Sequence, residues 1–367
     1  MPRKLETDRS LFLVTLALCL IGAVMVFSAS AVTAREQYGS AYYFLWRQLI
    51  WLGGGLLAMF AVMNFDYRRL RQPKVVFTLL SCILLALVGV LFLEKTHETH
   101  RWIRVGPASV QPSEIAKLAV ILFLAWFLEA RRRPRGYGVN NFRYTILPAL
   151  GVVLMIASLV LLEPDLGTAV EICVVALAIL FVAGLSPAYI VGAATAAVPV
   201  VYFAIMRVAY RQERILAFLH PEANAQGAGF QLMQSLIAVG SGGLSGVGLM
   251  ESRQKLFYLP EAHTDFIYAV ICEEFGFIGG AVVLGLFAFY AWRGLRIAMR
   301  ASDEFGCFLA IGITVMVASQ ALVNLGVVLG MMPTKGIPLP FISYGGSSLL
   351  VSLIATGVLL NIGQHGD

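Results

Sequence analysis

The chain has 367 residues, of which 59% are hydrophobic and only 13% charged, and a formal net charge of +6. A soluble domain carries about a quarter charged residues. Here the apolar residues run in blocks near the ~20 needed to cross a bilayer core, which excludes an ordinary soluble globule. The excess of Lys and Arg does not indicate nucleic acid as a partner, because these residues sit in short loops between apolar blocks, where they report topology.

Alternating strand patterns are absent, and in lipid a helix satisfies its own backbone. The sequence therefore predicts an all-α integral membrane protein of about ten transmembrane helices, forming a single membrane domain over residues 1–367. In chain order the spans are 11–31, 44–63, 75–93, 114–130, 145–162, 167–184, 187–205, 266–290, 307–329 and 346–362. Residues 1–10 precede the first. Ser28-Ala-Ser-Ala31 resembles a signal cleavage site, but the apolar run is longer than a signal core and further spans follow, so it reads as an uncleaved anchor. Fifteen of the 27 basic residues (Arg3, Lys4 and Arg9; Arg68, Arg69, Arg71 and Lys74; Arg131, Arg132, Arg133, Arg135 and Arg143; Arg293, Arg296 and Arg300) fall on one side of a ten-span arrangement. The positive-inside rule makes that side cytoplasmic, together with both termini, residues 1–10 and 363–367. Five cysteines lie within apolar stretches, without metal-ligand spacing, and read as packing residues.

Two external segments exceed what a connector needs. The first runs from Glu94 to Ser113 and contains Glu94-Lys-Thr-His-Glu-Thr-His-Arg101-Trp102. The second is a large extracytoplasmic loop, 206–265, between the seventh and eighth spans. It carries Arg207, Arg211 and Arg214 and the glycine-rich stretch Gly240–Gly248. Its apolar content argues for short re-entrant or interfacial helices rather than disorder. No internal repeat is evident, which weighs against an inverted-repeat transporter.

Ionisable groups at membrane depth are expensive, so each needs a reason. Gln111-Pro-Ser-Glu114-Ile-Ala-Lys117 opens the fourth span. Glu114 and Lys117 share a face and can pair, either as a self-neutralising couple or as the charged wall of a cavity. Glu163-Pro-Asp165-Leu-Gly-Thr168 is a polar turn that either reverses the chain or contributes acids to a site, and Glu171 follows about one turn deeper. Pro260-Glu-Ala-His263-Thr-Asp265 leads into a span that also carries Glu273 and Glu274. Thr264 or Asp265 is the N-cap of that helix, or Asp265 is a general base beside the imidazole of His263. Pro333 to Ser348 has too many prolines and glycines for a helix. It is either a plain loop or an anion-binding one, with Lys335 and the amides of Gly345 and Gly346 as donors.

Together and in order, these motifs resemble the SEDS family (shape, elongation, division and sporulation) of bacterial cell-wall proteins. The matching stretches are Val24-Met-Val-Phe-Ser-Ala-Ser-Ala31, Arg101-Trp102 with Gln111–Lys117, Glu163–Thr168, Tyr258-Leu-Pro-Glu-Ala-His-Thr-Asp-Phe-Ile267 and Pro333–Ser348. The resemblance covers essentially the whole chain. Ala262 and the Phe-Ser-Ala-Ser-Ala segment are most like the division members.

The resemblance implies a multi-pass peptidoglycan glycosyltransferase of the bacterial inner membrane, polymerising lipid II on the outer face for septal synthesis. Its implied partners are lipid II and the nascent strand, a class B penicillin-binding protein as transpeptidase, and other division membrane proteins. The essential acid maps onto Asp265. Candidate substrate-binding residues are Glu114, Lys117, Arg101, His263, Lys335, Ser343, Glu163 and Asp165. Lys117, Arg101, Lys335 or a divalent cation (Mg or Mn) is expected to offset the charge of the undecaprenyl pyrophosphate leaving group. The alternatives are a lipid II flippase, which needs polar groups through the full membrane depth, an elongation or sporulation paralogue with the same chemistry, or a non-enzymatic division scaffold.

Overall fold

A computed structural model describes residues 7–93, 101–105, 108–132, 137–221, 227, 229–256 and 258–366. Arg3, Lys4, Arg133, Arg135 and the stretch 94–100 of the first external segment lie outside the described residues.

Ten long helices fall on the ten expected spans: α1 (Arg9–Tyr38), α2 (Tyr43–Met63), α3 (Pro73–Val90), α4 (Pro112–Arg132), α5 (Leu147–Leu162), α6 (Leu166–Val182), α7 (Pro187–Met206), α10 (Ile267–Met299), α11 (Glu304–Val328) and α12 (Gly346–Gln364). Between α7 and α10 lie two short helices, α8 (Ala209–Leu219) and α9 (Phe230–Ser241). A small hairpin, β1 (Ile103–Val105) with β2 (Ala108–Val110), precedes α4. Local chemistry sets several of the helix starts. Asp8, Asp165 and Asp303 accept backbone N–H bonds from Leu11, Thr168 and Gly306. Pro73, Pro112 and Pro187 occupy first-turn positions, where no N–H is needed.

Among the described residues, eight helices are individually long and apolar enough to cross a membrane. The other two expected spans are α6, with 17 residues, and α4, which carries Glu114, Lys117 and Glu129. Both pack among other helices, α4 against α3, α6 and α11 and α6 against α4, α5 and α11, so neither depends on apolar length alone. By contrast α7 has no buried residue along its whole length.

Polar ties close one end of the bundle. Arg293 pairs with Asp8 at 2.6 Å, Arg71 with Glu129 at 3.0 Å, Arg132 with Glu304 at 3.3 Å and Arg68 with Asp303 at 3.5 Å. Gln364 reaches Thr7 at 2.9 Å, and the backbone N–H of Tyr67 donates to Asn361 at 2.9 Å. Thr7 and Gln364 therefore lie together at the same end as the basic loops, as an even number of crossings between them requires.

The eighth span departs from expectation. It is not one continuous helix: Gly276, at φ 65° and ψ −163°, breaks α10. The break frees the carbonyls of Glu273 and Glu274, which accept from Val247 and Gly248, both at 3.0 Å, while Phe277 and Ile278 donate to Gly243 and Leu244. The glycine-rich stretch, a series of turns after α9, thus supplies the hydrogen-bond partners of a broken helix. Any side chain on Gly242 or Gly246 would collide with the carbonyls of Cys272 and Glu274.

Candidate functional site

At the end opposite the basic loops, five segments meet: the approach to β1, the α5–α6 turn, α8, the turn leading into α10 and the 333–345 loop. Asp165 organises the α5–α6 turn. One carboxylate oxygen accepts from the Thr168 N–H at 3.1 Å. The other accepts from the Thr168 hydroxyl at 2.9 Å and from Gln111 at 3.2 Å. Arg101 closes the same turn by donating to the carbonyls of Glu163, at 2.8 Å, and Pro164. These carbonyls end α5, where a cation is electrostatically favoured. Glu163 itself is fully buried, and neither carboxylate oxygen finds a hydrogen-bond partner. Burial, reinforced by Asp165 and only partly opposed by Arg101, pushes it up to about 8.

Lys335 reaches this turn from the 333–345 loop. Its ammonium lies 2.7 Å from where a Cβ on Gly167 would stand, so any side chain there would displace the end of the lysine. Burial lowers its proton affinity, Asp165 and Glu171 raise it, and Arg101 and Arg211 lower it again. Arg211 and Arg214 both come from α8, and Arg214 points at the carbonyl of Thr334 at 3.5 Å. The sequence places both in the large external segment expected to form short helices, without a role in the site.

Asp265 sits just before α10, half-buried. It is not the N-cap: that position belongs to Phe266, and no side chain caps the helix. Its carboxylate makes no hydrogen bond or ion pair with another described residue, and Oδ2 lies 2.7 Å from where a Cβ on Gly336 would be. Burial, then Glu261, lift it from 3.8 to about 7. Arg214 and Arg101 pull the other way, and Asp165 adds a smaller push upward.

His263 does something other than its position in the sequence suggested. Its ring packs on Phe44, with centroids 4.6 Å apart, and on Tyr344 at 5.7 Å, and burial holds it below the ordinary histidine range. Its role is in the aromatic seam under the turn. Ser343 likewise ties backbone: it donates to the Thr264 carbonyl at 2.5 Å and accepts from the Leu339 N–H at 2.8 Å. Gly345 and Gly346 lead directly into α12, and a Cβ on Gly346 would strike the Trp51 ring.

Glu114 and Lys117 do pair, at 3.1 Å, and Glu171 joins them at 3.3 Å. The remaining Lys117 donor goes to Gln320 Oε1 at 2.8 Å. An ammonium has three donors, and here all three are matched in a side chain only 2% exposed. Lys117 is therefore withdrawn from the groups that reach a leaving group.

Glu273 and Glu274 face away from Asp265. Glu274 accepts from Ser28 and from Lys255 at 2.8 Å, and Glu273 accepts from Ser252 and the Arg253 N–H. They anchor the 247–256 stretch instead of deepening the site. Two residues that went unremarked in the sequence, Gln320 and Asn324, stand one turn apart on α11 and bridge the clusters. Their only signal was a pair of amides four apart in an apolar span. Among the described residues no three His, Cys, Asp or Glu side chains converge on a common point.

The family model described as "Cell cycle protein" (FtsW, RodA, SpoVE) matches residues 8–367. The chain belongs to this family. Stage V sporulation protein E of Bacillus subtilis is 43% identical over 99% of this chain and 98% of its own. Probable peptidoglycan glycosyltransferase FtsW of Trichlorobacter lovleyi is 45% identical over 98% and 94%. Among solved structures, a chain of a peptidoglycan synthase complex, described as structurally coordinating polymerization and crosslinking, superposes with a TM-score of 0.78 at 32% identity. The match covers 98% of this chain and 99% of that one. Rod shape determining protein RodA of Thermus thermophilus gives 0.71 at 29% identity, over 99% and 98%. The multi-span helical architecture is therefore that of FtsW, RodA and SpoVE proteins.

Proposed function

We propose that this chain is a peptidoglycan glycosyltransferase that polymerises lipid II, with Asp265 as general base. The observation that carries the reading is the Asp265 carboxylate: half-buried, unbonded, raised to about 7, and overlooked by Arg101 and Arg214. A base works best when its pKa lies near the working pH, and a carboxylate at its ordinary value is too weak.

In this mechanism Asp265 takes the proton from the 4-hydroxyl of the acceptor N-acetylglucosamine. The oxygen attacks C1 of the donor N-acetylmuramic acid, and the bond from C1 to undecaprenyl pyrophosphate breaks with inversion. The departing diphosphate meets Lys335, Arg101, Arg211 and Arg214, which offset its charge without rearrangement. Arg101 retains donors beyond the two given to Glu163 and Pro164. Apart from the ion pairs that close the basic end, the buried ionisable groups inside the helices lie toward this end: Lys117 and Glu171 in the second turns of α4 and α6, and Glu273 and Glu274 in the short segment of α10 before its break. That distribution favours chemistry at one face over transport through the bilayer.

On the same reading the basic end and both termini are cytoplasmic, in the bacterial inner membrane. The similarity to a synthase complex supports a class B penicillin-binding protein as the partner that crosslinks the strands. A septal role is the finer assignment; it rests on Ala262, the Phe27–Ala31 segment and the FtsW relatives, against a sporulation relative of similar identity. Rescue of a division-blocked strain decides it.

The test is reconstitution with the partner on purified lipid II. Wild type is expected to make glycan strands, and Asp265→Asn none while still folded and partner-bound. Undiminished synthesis by Asp265→Asn overturns the proposal.

A further inference from the structure

The backbone around Asp265 is held from the side by a residue that does not itself face the proposed reaction. Asn324, 2% exposed on α11, sends both amide hydrogens to carbonyl oxygens, those of Asp265 and Ile337, each at 2.7 Å. One turn earlier, Gln320 donates to the next carbonyl along, that of Pro338, at 3.0 Å, while its own oxygen accepts from Lys117. α11 thus presents a short polar rail. It joins the Glu114–Lys117–Glu171 cluster to two consecutive carbonyls of the 333–345 loop, and that loop to the backbone of Asp265.

Because Asn324 clamps Ile337, it also holds the adjacent Gly336, where an added Cβ would stand 2.7 Å from Asp265 Oδ2. Gly336 is exposed and its φ lies outside the left-handed region, so what a side chain there would meet is the Asp265 carboxylate and not a backbone constraint.

We infer that Asn324 is a positioning residue for glycosyl transfer: by tying Asp265 to Ile337 it sets the depth of the carboxylate beneath Gly336, and Gly336 is the stop against which the carboxylate rests. This rests on the reading of Asp265 as base. A general base displaced by about 1 Å loses up to ~100-fold in rate. A carboxylate released from its cover regains water and moves back toward its ordinary acidity.

The experiment uses the full chain with its partner on lipid II, comparing wild type, Asn324→Leu, Gly336→Ala and Asp265→Asn for kcat, KM and the acid limb of the rate against pH. Asn324→Leu keeps the branching at Cγ and the number of side-chain heavy atoms and removes both donors. Gly336→Ala is exposed, so it folds even if the first variant does not, and its methyl pushes on the flexible end of Asp265. Both are expected to lower kcat by about 10- to 100-fold, with KM unchanged and the acid limb moved to lower pH. Wild-type kcat with an unmoved limb in both variants, or a loss that appears only as a raised KM, overturns the positioning role. Activity in Asp265→Asn instead removes the base itself, so the two failures are distinct.

Discussion

Ser343 and Thr264, 79 residues apart in sequence, are joined by a part-buried hydrogen bond of 2.5 Å from the serine hydroxyl to the threonine carbonyl. The same hydroxyl accepts from the Leu339 N–H, and the Tyr344 N–H donates to the neighbouring His263 carbonyl at 3.0 Å. Two loops that carry the proposed base and its cover are thereby one unit. Ser343→Ala removes the donor to the part-buried Thr264 carbonyl and leaves the buried Leu339 N–H unpartnered, the latter at about 1–3 kcal/mol. The expected outcome is a lower melting temperature together with slower strand synthesis, read by thermal unfolding in detergent beside a lipid II assay. A raised KM with unchanged melting would assign the hydroxyl to substrate instead.

Lys117 neutralises two buried acids at once, so its removal should be far more damaging than that of a surface lysine. Lys117→Met leaves Glu114 and Glu171 facing each other without a cation, which costs about 3–5 kcal/mol. Adding Glu171→Gln is expected to restore part of the loss. Thermal unfolding of the single and double variants checks this; equal stabilities would show that the charge cluster is not coupled.

Glu163 supplies a pH signature. Its value is raised from 4.5 to about 8, so the folded state holds a proton that the unfolded chain releases. Its contribution is fully present below 4.5 and is lost as pH rises through about 8. Glu163→Gln mimics the protonated form. Relative to wild type it should melt at higher temperature at pH 8, with the difference vanishing near pH 4.5. Melting curves across that range test the sign.

Lys255 ties the glycine-rich stretch to the helix break through Glu274 and Ser28, at 2.8 and 3.2 Å. Lys255→Met leaves the buried Glu274 without its cation. Hydrogen exchange across residues 242–256 should then rise by more than tenfold, one order of magnitude per about 1.4 kcal/mol of lost local stability. Unchanged exchange would mean that backbone pairing alone holds the segment.

Much of the architecture was readable beforehand, because apolar block length and the position of Arg and Lys are direct consequences of lipid as solvent. The ten spans and the common end of the termini followed from these. The Glu114–Lys117 pair was legible too, since three-residue spacing on a helix is a local fact. What sequence position could not show was direction. His263 stands two residues from Asp265, yet its ring packs against Phe44. Glu273 and Glu274 follow Asp265 closely, yet they anchor Ser252 and Lys255. The break at Gly276 was equally hidden, because a glycine within a span reads as a packing residue until Gly242 and Gly246 are seen pressed against it. Gln320 and Asn324 carried no charge to draw notice; only the fold aims their amides at the loop carbonyls.

The most direct measurement is the pH dependence of lipid II polymerisation by the wild-type complex. An Asp265 that must be ionised to accept the sugar proton, with a value raised to about 7, predicts a rate that falls tenfold per unit as pH drops below that point. A rate that stays level from neutral pH down to the ordinary carboxylate range near 4 would contradict the account.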